Sequence, residues 1–324
     1  MSHSRRTLLG VALLAGTLLA VLVPALSHAS ASGNDGVIAF SAEVHGVSQV
    51  FTIEPDGTQQ RQVTHGAPAG QYGLAWSPDG HSLLFSVAHH GKDRLTRSHA
   101  NGSDPTNVSA PCKGTCLGDD AASYSPNGKT IGFERAFGPI VNNNASGVEI
   151  FTTNADGGDL KQLTKSASED HQPRWSPDGK TIAFVQFDVA KGESAIEVMN
   201  ADGSNVRRLT PYAIGASDPR WSPNGKLLLY STYSEPVRGQ SSNLFTMHPD
   251  GTHRVAITHY KGGAINAFAD DWSPNGKQVL FRRFKFSGTD TEVGGYYILD
   301  LGSKHIKRLT PVRLTGDAEA AWGR

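Results

Sequence analysis

Short apolar segments separated by turn-forming residues recur along most of this chain, and residues 173–210 show the pattern in full. Within that stretch, residues 181–185 and 195–199 are rich in β-branched and other apolar side chains, which favours extended strands. Residues 206–210 form a third such segment, and a short extended segment that ends at Trp175 precedes all of them. The pattern predicts four short antiparallel strands, which we designate A to D in chain order.

Tight turns join strand A to strand B and strand C to strand D, whereas longer and more variable loops make the other connections. The A–B turn, residues 176–179 (Ser-Pro-Asp-Gly), has proline and glycine at the positions that a type I turn favours. The C–D turn is residues 200–203 (Asn-Ala-Asp-Gly). Because successive strands run in opposite directions, both tight turns lie on one face, the turn face. The B–C and D–A loops lie on the opposite face, the loop face.

One aromatic residue stands at the same point of every repeat, directly before Ser-Pro-Asp/Asn-Gly in the five full copies. The six aromatics are Trp76, Tyr124, Trp175, Trp221, Trp272 and Trp322, at steps of 48, 51, 46, 51 and 50 residues. Repetition at such a period predicts a repeat architecture. Because one four-stranded sheet cannot bury both of its faces, we expect the copies to pack radially on one another, as in a β-propeller.

The two ends of the chain supply complementary parts of one repeat. The first repeat has segments for strands B, C and D, at residues 37–40, 49–53 and 61–64, and none for strand A. Residues 317–324 hold a strand A with no strand B after it. The sequence therefore predicts an all-β, six-bladed β-propeller of four-stranded antiparallel blades, with the ring closed where the C-terminal strand joins the N-terminal blade. Closure leaves only short, protected sheet edges.

The repeat resembles that of TolB-type β-propellers. W-S-P-D-G-K-T-I-A-F at Trp175 and N-A-D-G-S-N-V-R-R-L-T at Asn200 carry the resemblance, which covers residues 36–324. Two copies depart from the pattern, at residues 107–109 (Asn-Val-Ser instead of an ending in Leu-Thr) and at residues 300–303 (Asp-Leu-Gly-Ser instead of Asp-Gly). These departures affect the strand boundaries there and leave the repeat intact.

Repeats of this family occur in periplasmic TolB, in the propeller domains of some serine peptidases and in some polysaccharide lyases. The resemblance therefore implies the fold and protein partners at the cell envelope, and it points to no particular partner. The chemistry of the site must decide the function, because a propeller scaffold hosts many unrelated activities.

Composition and charge exclude some classes of function. The chain has 30 lysine and arginine residues and 30 aspartate and glutamate residues. It therefore lacks the basic excess that would indicate nucleic-acid binding. The 36 glycines and 17 prolines suit a turn-rich all-β protein. A chain of 324 residues is long enough for one large core, and we expect a monomer.

Residues 1–31 have the features of an export signal, and residues 32–35 form a short linker to the propeller. Two arginines at positions 5 and 6 precede an apolar run at residues 8–26, and residues 29–31 (Ala-Ser-Ala) fit a cleavage site. The apolar run is also long enough to span a bilayer, so an uncleaved anchor is the alternative. We favour cleavage, which leaves no membrane span and places the protein in the periplasm or outside the cell. The general secretory (Sec) and twin-arginine routes both fit the signal.

Both cysteines, Cys112 and Cys116, lie in the loop between blades 2 and 3. Export places them in an oxidising compartment, so we expect a local disulfide. Closure of so short a loop contributes at most about 2 kcal/mol to stability. A redox role is disfavoured, because such motifs have two residues between the cysteines and this one has three.

Acidic residues recur in the D–A loops, which lead into the innermost strands and border the central channel. The candidates for a divalent-cation site at the channel mouth are Asp120, His171, Asp218 and Asp271. Carboxylate oxygens suit Ca²⁺, and an added imidazole admits a transition metal such as Mn²⁺. The alternative, which we favour, is structural: aspartates before strands cap backbone N–H groups and fill the channel with polar contacts.

A second candidate site lies on the B–C loops, which carry an aromatic residue just past strand B in blades 3 to 6. These residues are Phe137, Phe187, Tyr233 and Phe284, and Arg283 stands beside the last of them. We favour packing of each loop on its neighbour, and the alternative is a partly exposed rim that binds a peptide or a glycan. Because the loop face varies more between blades than the turn face, we expect any partner to dock there, with these residues as anchors.

Signatures of catalysis are mostly missing from the sequence. Neither the G-x-S-x-G nucleophile motif nor the H-E-x-x-H zinc motif occurs in it. We therefore expect an exported, non-catalytic binding or protein-interaction module at the cell envelope. The alternative is an extracytoplasmic carbohydrate-active enzyme, similar to a lyase, that uses a metal at the channel mouth.

Overall fold

The computed structural model describes residues 36–65, 71–89, 92–112, 116–138, 147–232, 241–285, 293–310 and 319–323. The predicted export signal and linker lie outside these ranges. Within them the protein consists of β-strands and one short 3₁₀ helix, Tyr212–Ile214. No helix in the described ranges is both long enough and apolar enough to cross a bilayer.

The strands of the described residues form six four-stranded units, blades 1 to 6. Blade 1 contains β1 (Ile38–Val44), β2 (Val47–Ile53), β3 (Arg61–Gln62) and, from the C-terminus, β24 (Ala320–Trp322). Blade 2 contains β4 (Gln71–Trp76), β5 (Ser82–His89), β6 (Lys92–His99) and β7 (Thr106–Asn107). Blade 3 contains β8 (Cys116–Tyr124), β9 (Thr130–Phe137), β10 (Gly147–Asn154) and β11 (Lys161–Gln162).

The second half of the chain repeats the same arrangement. Blade 4 contains β12 (Glu169–Trp175), β13 (Thr181–Asp188), β14 (Glu193–Asn200) and β15 (Arg207–Arg208). Blade 5 contains β16 (Ala216–Trp221), β17 (Leu228–Thr232), β18 (Leu244–Met247) and β19 (Val255–Ala256). Blade 6 contains β20 (Ile265–Trp272), β21 (Gln278–Lys285), β22 (Val293–Asp300) and β23 (Ile306–Arg308).

The C-terminal strand closes the ring as the sequence predicts. Within every blade the strands pair antiparallel in the order A, B, C, D, and β24 serves as strand A of blade 1. In that pairing Trp322 lies opposite Ile38, and Ala320 lies opposite Phe40. The A strands contact one another in the order β4, β8, β12, β16, β20 and β24, and β24 returns to β4. The structure therefore has the six blades and the closing strand that the repeat indicates.

Many strands are longer than their apolar residues suggest. In blade 4, β13 continues to Asp188 and β14 begins at Glu193, although the sequence predicts a loop over residues 186–194. A polar side chain on this extension has a partner on the neighbouring strand, since Gln186 Nε2 donates to Asp170 Oδ1 at 3.0 Å. The D strands remain short in the described ranges, which limits the exposed outer edge of each blade.

The A strands of blades 2 to 6 share a β-bulge shortly before the repeat aromatic. In blades 2 to 5 it places a residue with positive φ three positions before that aromatic; these residues are Gly73, Ala121, Gln172 and Asp218. A bulge bends a strand and re-aims its side chains. The polar residues considered below stand at or beside these bulges.

The hydrophobic core lies between neighbouring blades. Ile38 and Trp322 of blade 1 pack with Leu280 and Tyr296 of blade 6 in one buried cluster. Three of the repeat tryptophans add hydrogen bonds between blades, because their indole N–H groups reach a backbone carbonyl of the preceding blade. Trp76 donates to Ala321 O at 3.2 Å, Trp221 to Arg174 O at 3.1 Å and Trp272 to Arg220 O at 3.1 Å.

The two copies that depart from the sequence pattern still complete their blades. In blade 2, β7 ends at Asn107 and pairs with β6. In blade 6, residues 301–303 form the C–D turn, and β23 after it pairs with β22. The departures change the local turn and leave the repeat intact.

Candidate functional site

The polar residues predicted at the channel mouth lie within the A strands and not in the loops before them. Asp120 is in β8, His171 in β12, Asp218 in β16 and Asp271 in β20. Their assignment to the D–A loops was therefore wrong. The A strands begin well before the apolar residues that mark their ends, and the polar residues belong to the paired part of the sheet.

A cleft of about 380 Å³ opens on the loop face over blades 3 to 5, and we call it the loop-face cleft. Its charged lining residues are Asp120, Glu134, Glu169, His171 and Glu319, and Phe187 and Val185 contribute apolar surface. Two of the four predicted metal ligands and one of the predicted partner anchors thus meet in one place.

His171 lies between two carboxylates of the loop-face cleft. Its Nδ1 is 3.4 Å from Glu134 Oε1, and its Nε2 is 3.5 Å from Glu169 Oε2. Burial by itself lowers the pKa of His171, but the two carboxylates outweigh burial and raise that pKa to about 10. His171 is therefore a cation near neutral pH and does not serve as a general base there.

The hydrogen bonds of Glu134 explain why it stays ionised beside His171. Burial raises the pKa of Glu134, but the imidazolium of His171 and the backbone N–H of Gln172 lower it overall. That N–H donates to Glu134 Oε2 at 2.8 Å. Glu134 belongs to blade 3 and Gln172 to blade 4, so the carboxylate also joins the two blades.

Asp120 joins blade 3 to blade 2. Its Oδ1 accepts a hydrogen bond from Ser86 Oγ at 2.5 Å. Burial, and then the carboxylates of Glu134 and Glu319, raise the pKa of Asp120 well above its usual range. A Cβ at Gly73 would lie 2.4 Å from Asp120 Oδ1, so glycine at that position leaves room for the carboxyl group.

Asp218 belongs to a buried polar network that joins blades 4, 5 and 6. Arg282 Nη2 is 3.2 Å from Asp218 Oδ1, and Arg282 Nη1 is 3.5 Å from Asp270 Oδ1. From blade 4, Gln172 Nε2 donates to Asp218 Oδ1 at 3.3 Å, and Gln172 Oε1 accepts from the Asp218 N–H at 3.0 Å. Ser217 Oγ donates to Asp218 Oδ2 at 2.7 Å. Protein donors thus reach both carboxylate oxygens of Asp218.

Asp271 and Asp270 tie the closing strand to blade 6. Asp271 Oδ1 accepts the backbone N–H of Trp272 at 2.8 Å, and its Oδ2 accepts that of Trp322 at 2.9 Å. Asp270 Oδ1 accepts the N–H of Ala320 at 3.2 Å. Both aspartates therefore cap backbone amides at the joint of the ring.

The four predicted metal ligands do not form one group. Within the described part of the chain, no set of three or more His, Cys, Asp or Glu side chains is arranged to hold a metal ion. Asp218 contacts Arg282, Asp271 contacts two amides and His171 contacts two carboxylates. The residues present therefore face separate protein partners and do not converge on one cation.

Phe284 is a buried core residue, so its predicted role as an exposed anchor is wrong. Its side chain is 5% exposed and packs with Phe268 at a ring-centroid distance of 5.8 Å. Strand β21 continues to Lys285, and the alternation of faces along this extension directs Phe284 into the core between blades 6 and 1.

The other predicted anchors have different environments. Phe187 is half-buried and lines the loop-face cleft. Phe137 is half-buried and packs on Phe151 at 5.6 Å between ring centroids. Arg283 donates to Tyr297 Oη at 2.8 Å, with its guanidinium 3.9 Å from the centre of that ring. Tyr233 lies outside the described residues. Phe187 is the predicted anchor that the structure places in the cleft.

Cys112 and Cys116 are joined by a disulfide, with their Cα atoms 6.1 Å apart. Cys116 begins β8 and lies opposite Phe137 in the pairing with β9. Close by, Gly118 lies opposite Asp93 in a parallel bridge between blades 3 and 2. The disulfide therefore fixes the start of β8 at this blade boundary.

Sequence analysis missed Glu134 and Arg282, although a pattern in strand B marks both. A polar residue directly follows the large buried residue of strand B in five of the six copies: Ser41, Ser86, Glu134, Ser231 and Arg282. A polar side chain within an apolar strand is expected to find a buried partner. Ser231 shows the same role, because its Oγ accepts the N–H of Ala269 in the next blade at 2.7 Å.

Comparison with known proteins identifies the repeat. The profile of the family described as TolB beta propeller domain matches residues 119–285, which is just over half of the chain. A TolB homologue of Chlorobium luteolum is 26% identical over 164 residues, covering 51% of this chain and 34% of that protein. Dipeptidyl-peptidase 5 of Porphyromonas gingivalis is 43% identical over 63 residues, covering 19% of this chain and 9% of that protein. The matches thus span well under half of the length of either relative.

Solved structures share the fold over most of the chain. TolB from Acinetobacter baumannii has a TM-score of 0.68 and 19% identity, covering 89% of this chain and 66% of that one. A putative TolB from Agrobacterium tumefaciens has a TM-score of 0.64 and 20% identity, covering 88% of this chain and 96% of that one. An oligogalacturonate lyase in complex with manganese has a TM-score of 0.59 and 15% identity, covering 85% of this chain and 74% of that one. At these identities the similarity shows the fold alone.

Proposed function

Since the chain belongs to the TolB β-propeller domain family, we propose that it is an exported, non-catalytic binding module at the cell envelope that holds a protein partner on its loop face. The loop-face cleft carries the proposal, because it combines fixed charges with an aromatic wall. The likeness to proteins named TolB supports an interaction role at the cell envelope.

The charged floor of the cleft is held in place before any partner arrives. Glu134 and Glu169 both contact His171, and Glu134 also accepts the N–H of Gln172. A surface that is already ordered loses little conformational entropy on binding. Phe187 beside this floor offers apolar area of the kind that anchors protein interfaces.

The balance of charge in the cleft indicates the chemistry of the partner. Glu134, Glu169 and Glu319 line the cleft together with one imidazolium, so acidic side chains outnumber basic ones there. Such a surface favours a lysine or arginine side chain of the partner, which would be steered to it over a distance set by ionic strength.

Two features favour binding over catalysis. His171 is held as a cation, so it has no lone pair with which to accept a proton from a substrate. The predicted metal ligands are engaged by protein donors, whereas a lyase-like enzyme of the kind considered from the sequence would need them free for an ion. If the protein formed unsaturated products from oligogalacturonate in the presence of Mn²⁺ or Ca²⁺, the non-catalytic proposal would be overturned.

Affinity capture with matched variants tests the proposal. The full chain carrying Phe187→Ala or Glu169→Ala is compared with wild type and with Asp250→Ala, an exposed turn-face substitution. We expect at least one envelope protein to be enriched by wild type and by Asp250→Ala, and to be lost from both loop-face variants. A protein whose capture depends on Asp250 and not on Phe187 or Glu169 would place the interface on the other face.

A further inference from the structure

A second cavity lies in the central channel, at the end away from the loop-face cleft. It measures about 160 Å³ and is lined by all six repeat aromatics: Trp76, Tyr124, Trp175, Trp221, Trp272 and Trp322. Prolines of the A–B turns also line it, which places it toward the turn face. We call it the channel cavity. Arg174 and Arg220 contribute its basic side chains.

These two arginines are buried without a counter-charge in contact. Arg174 is 8% exposed and Arg220 is 6% exposed. The guanidinium of Arg174 donates to Ala121 O at 2.6 Å and that of Arg220 to Asp270 O, and each also donates to the carbonyl of the preceding proline. Among the described residues, neither has a carboxylate oxygen within 4.0 Å, whereas Arg135 and Arg282 do.

Two neighbouring buried cations that contact carbonyl oxygens and no carboxylate are costly, since burial and mutual repulsion both disfavour them. Burial, followed by the charge of Arg220, lowers the pKa of Arg174 to about 10, and the more distant carboxylates of Glu319, Glu134 and Asp271 act in the opposite direction. The carboxyl groups that line the same cavity are committed elsewhere. Asp271 accepts two backbone amides, and Asp270 interacts with Arg282. Burial raises the pKa of Asp270 to about 8, and the charges of Arg282 and Arg220 act in the opposite direction. Among the described residues, the guanidinium groups of Arg174 and Arg220 thus line the cavity without a carboxylate in contact.

Basic side chains also surround the turn-face opening of the channel. The residue after each A–B turn is basic and exposed in blades 2 to 6: His81, Lys129, Lys180, Lys226 and Lys277. The turns of neighbouring blades touch, since a Cβ at Gly179 would lie 3.6 Å from Pro126 Cδ and one at Gly225 would lie 3.7 Å from Pro177 Cδ. The lysines therefore follow one another along the rim, where two of the same turns also carry the exposed carboxylates Asp79 and Asp178.

We propose that the channel cavity binds an oxyanion, a phosphate, sulfate or carboxylate group, between the guanidinium groups of Arg174 and Arg220. The planar guanidinium fork matches two oxygens of such a group, and charge-assisted hydrogen bonds of this kind are the strong ones. The cavity has several times the volume of a water molecule, which is about 30 Å³, so one such group fits. The site is separate from the loop-face cleft, and the inference is independent of the proposed partner.

Titration calorimetry with inorganic phosphate, at constant ionic strength, tests the site on the full chain. We expect wild type to bind phosphate and Arg220→Gln to bind it at least about tenfold more weakly, as the loss of a charged hydrogen-bond partner implies. Arg207→Gln is the matched control, because it removes an exposed arginine whose Nη2 donates to Pro249 O at 2.9 Å outside the cavity. Its affinity for phosphate should equal that of wild type. Tryptophan emission should follow the same binding curve, since tryptophans line the cavity.

A glutamate-rich peptide in a parallel titration distinguishes a free ion from a group carried on a chain. If the peptide binds and phosphate does not, and Arg220→Gln abolishes the binding, the oxyanion is one presented by a polymer. Should Arg220→Gln fail to fold, Arg174→Lys keeps the charge but removes the fork, and it should also weaken binding. Failure of wild type to bind either probe would overturn the inference, as would binding that neither arginine substitution changes.

Discussion

The hydroxyl group of Tyr296 in blade 6 donates to the backbone oxygen of Ser41 in blade 1 at 3.0 Å, and it is 2.8 Å from the backbone oxygen of Glu319. The ring is therefore joined at its seam by more than the pairing of β24 with β1. Tyr296 is fully buried, so the hydrogen bond also satisfies a hydroxyl that has no access to water.

The closing strand should be essential for stability. Trp322 is 4% exposed and packs in the seam cluster, so Trp322→Ala should lower the free energy of unfolding by about 3–5 kcal/mol. Deletion of residues 319–324 should give insoluble or strongly destabilised protein. Urea denaturation measures both, with Val255→Ala, at a residue that is 56% exposed, as a control that should change stability little. A deletion variant that melts within a few degrees of wild type would contradict closure by this strand.

Two tyrosines that differ in one hydrogen bond make a matched pair. Tyr124 stands where other blades have tryptophan, and its buried hydroxyl has no partner among the described residues. Tyr124→Phe should therefore leave the free energy of unfolding unchanged or raise it by about 1 kcal/mol. Tyr296→Phe should lower it by about 1–3 kcal/mol. Chemical denaturation of both variants shows which of them is the less stable. Equal losses from the two substitutions would show that the Tyr124 hydroxyl has a partner.

Asp218→Asn distinguishes an inter-blade tie from a metal ligand. The substitution leaves Arg282 without one of its two buried carboxylates, so we expect a loss of about 3 kcal/mol without any metal present. If Asp218 were only a metal ligand, Asp218→Asn would leave the stability of the apo protein nearly unchanged. It would instead abolish the thermal stabilisation by Ca²⁺ or Mn²⁺. Thermal melts with and without millimolar cation separate the two outcomes.

The raised pKa of His171 should make the stability of the protein depend on pH. Its pKa is about 10 in the folded protein, against the ordinary histidine value of 6.5 that applies in the unfolded chain. A raised pKa of this kind adds stability that is complete below about pH 6.5 and is lost as the pH rises toward 10. His171→Gln should therefore destabilise the protein more at pH 6 than at pH 9 in urea titrations. His99→Gln, at an exposed histidine, is the control. An equal effect of His171→Gln at both pH values would mean that the ion pairs with Glu134 and Glu169 do not form.

The fold was predictable because its signals are local and repeated. The aromatic before Ser-Pro-Asp/Asn-Gly recurs in register, and the incomplete first repeat and the strand at residues 317–324 complement each other. The extent of the strands was harder to predict. Asp120 and Phe284 stand beyond the apolar runs, and only contacts with other blades show that they belong to paired strands.

The candidate site was predictable in part, because its residues meet across large distances in the chain. Asp120, His171 and Phe187 were selected from the sequence, and the structure places them around one cleft. Arg282 lies 64 positions from Asp218, and no local pattern connects the two. The sequence left open a cation site and favoured structural contacts for these aspartates, and the structure has protein partners for Asp218 and Asp271.

Site-specific photo-cross-linking in living cells tests most directly the central claim that a protein partner occupies the loop-face cleft. A photoreactive amino acid replaces Phe187 in the cleft in one strain and the exposed Lys226 on the turn face in another. The account predicts a discrete protein adduct on illumination of the first strain, its loss when Glu169→Ala is added, and no such adduct in the second strain. Adducts formed only from position 226, or from neither position, would contradict it.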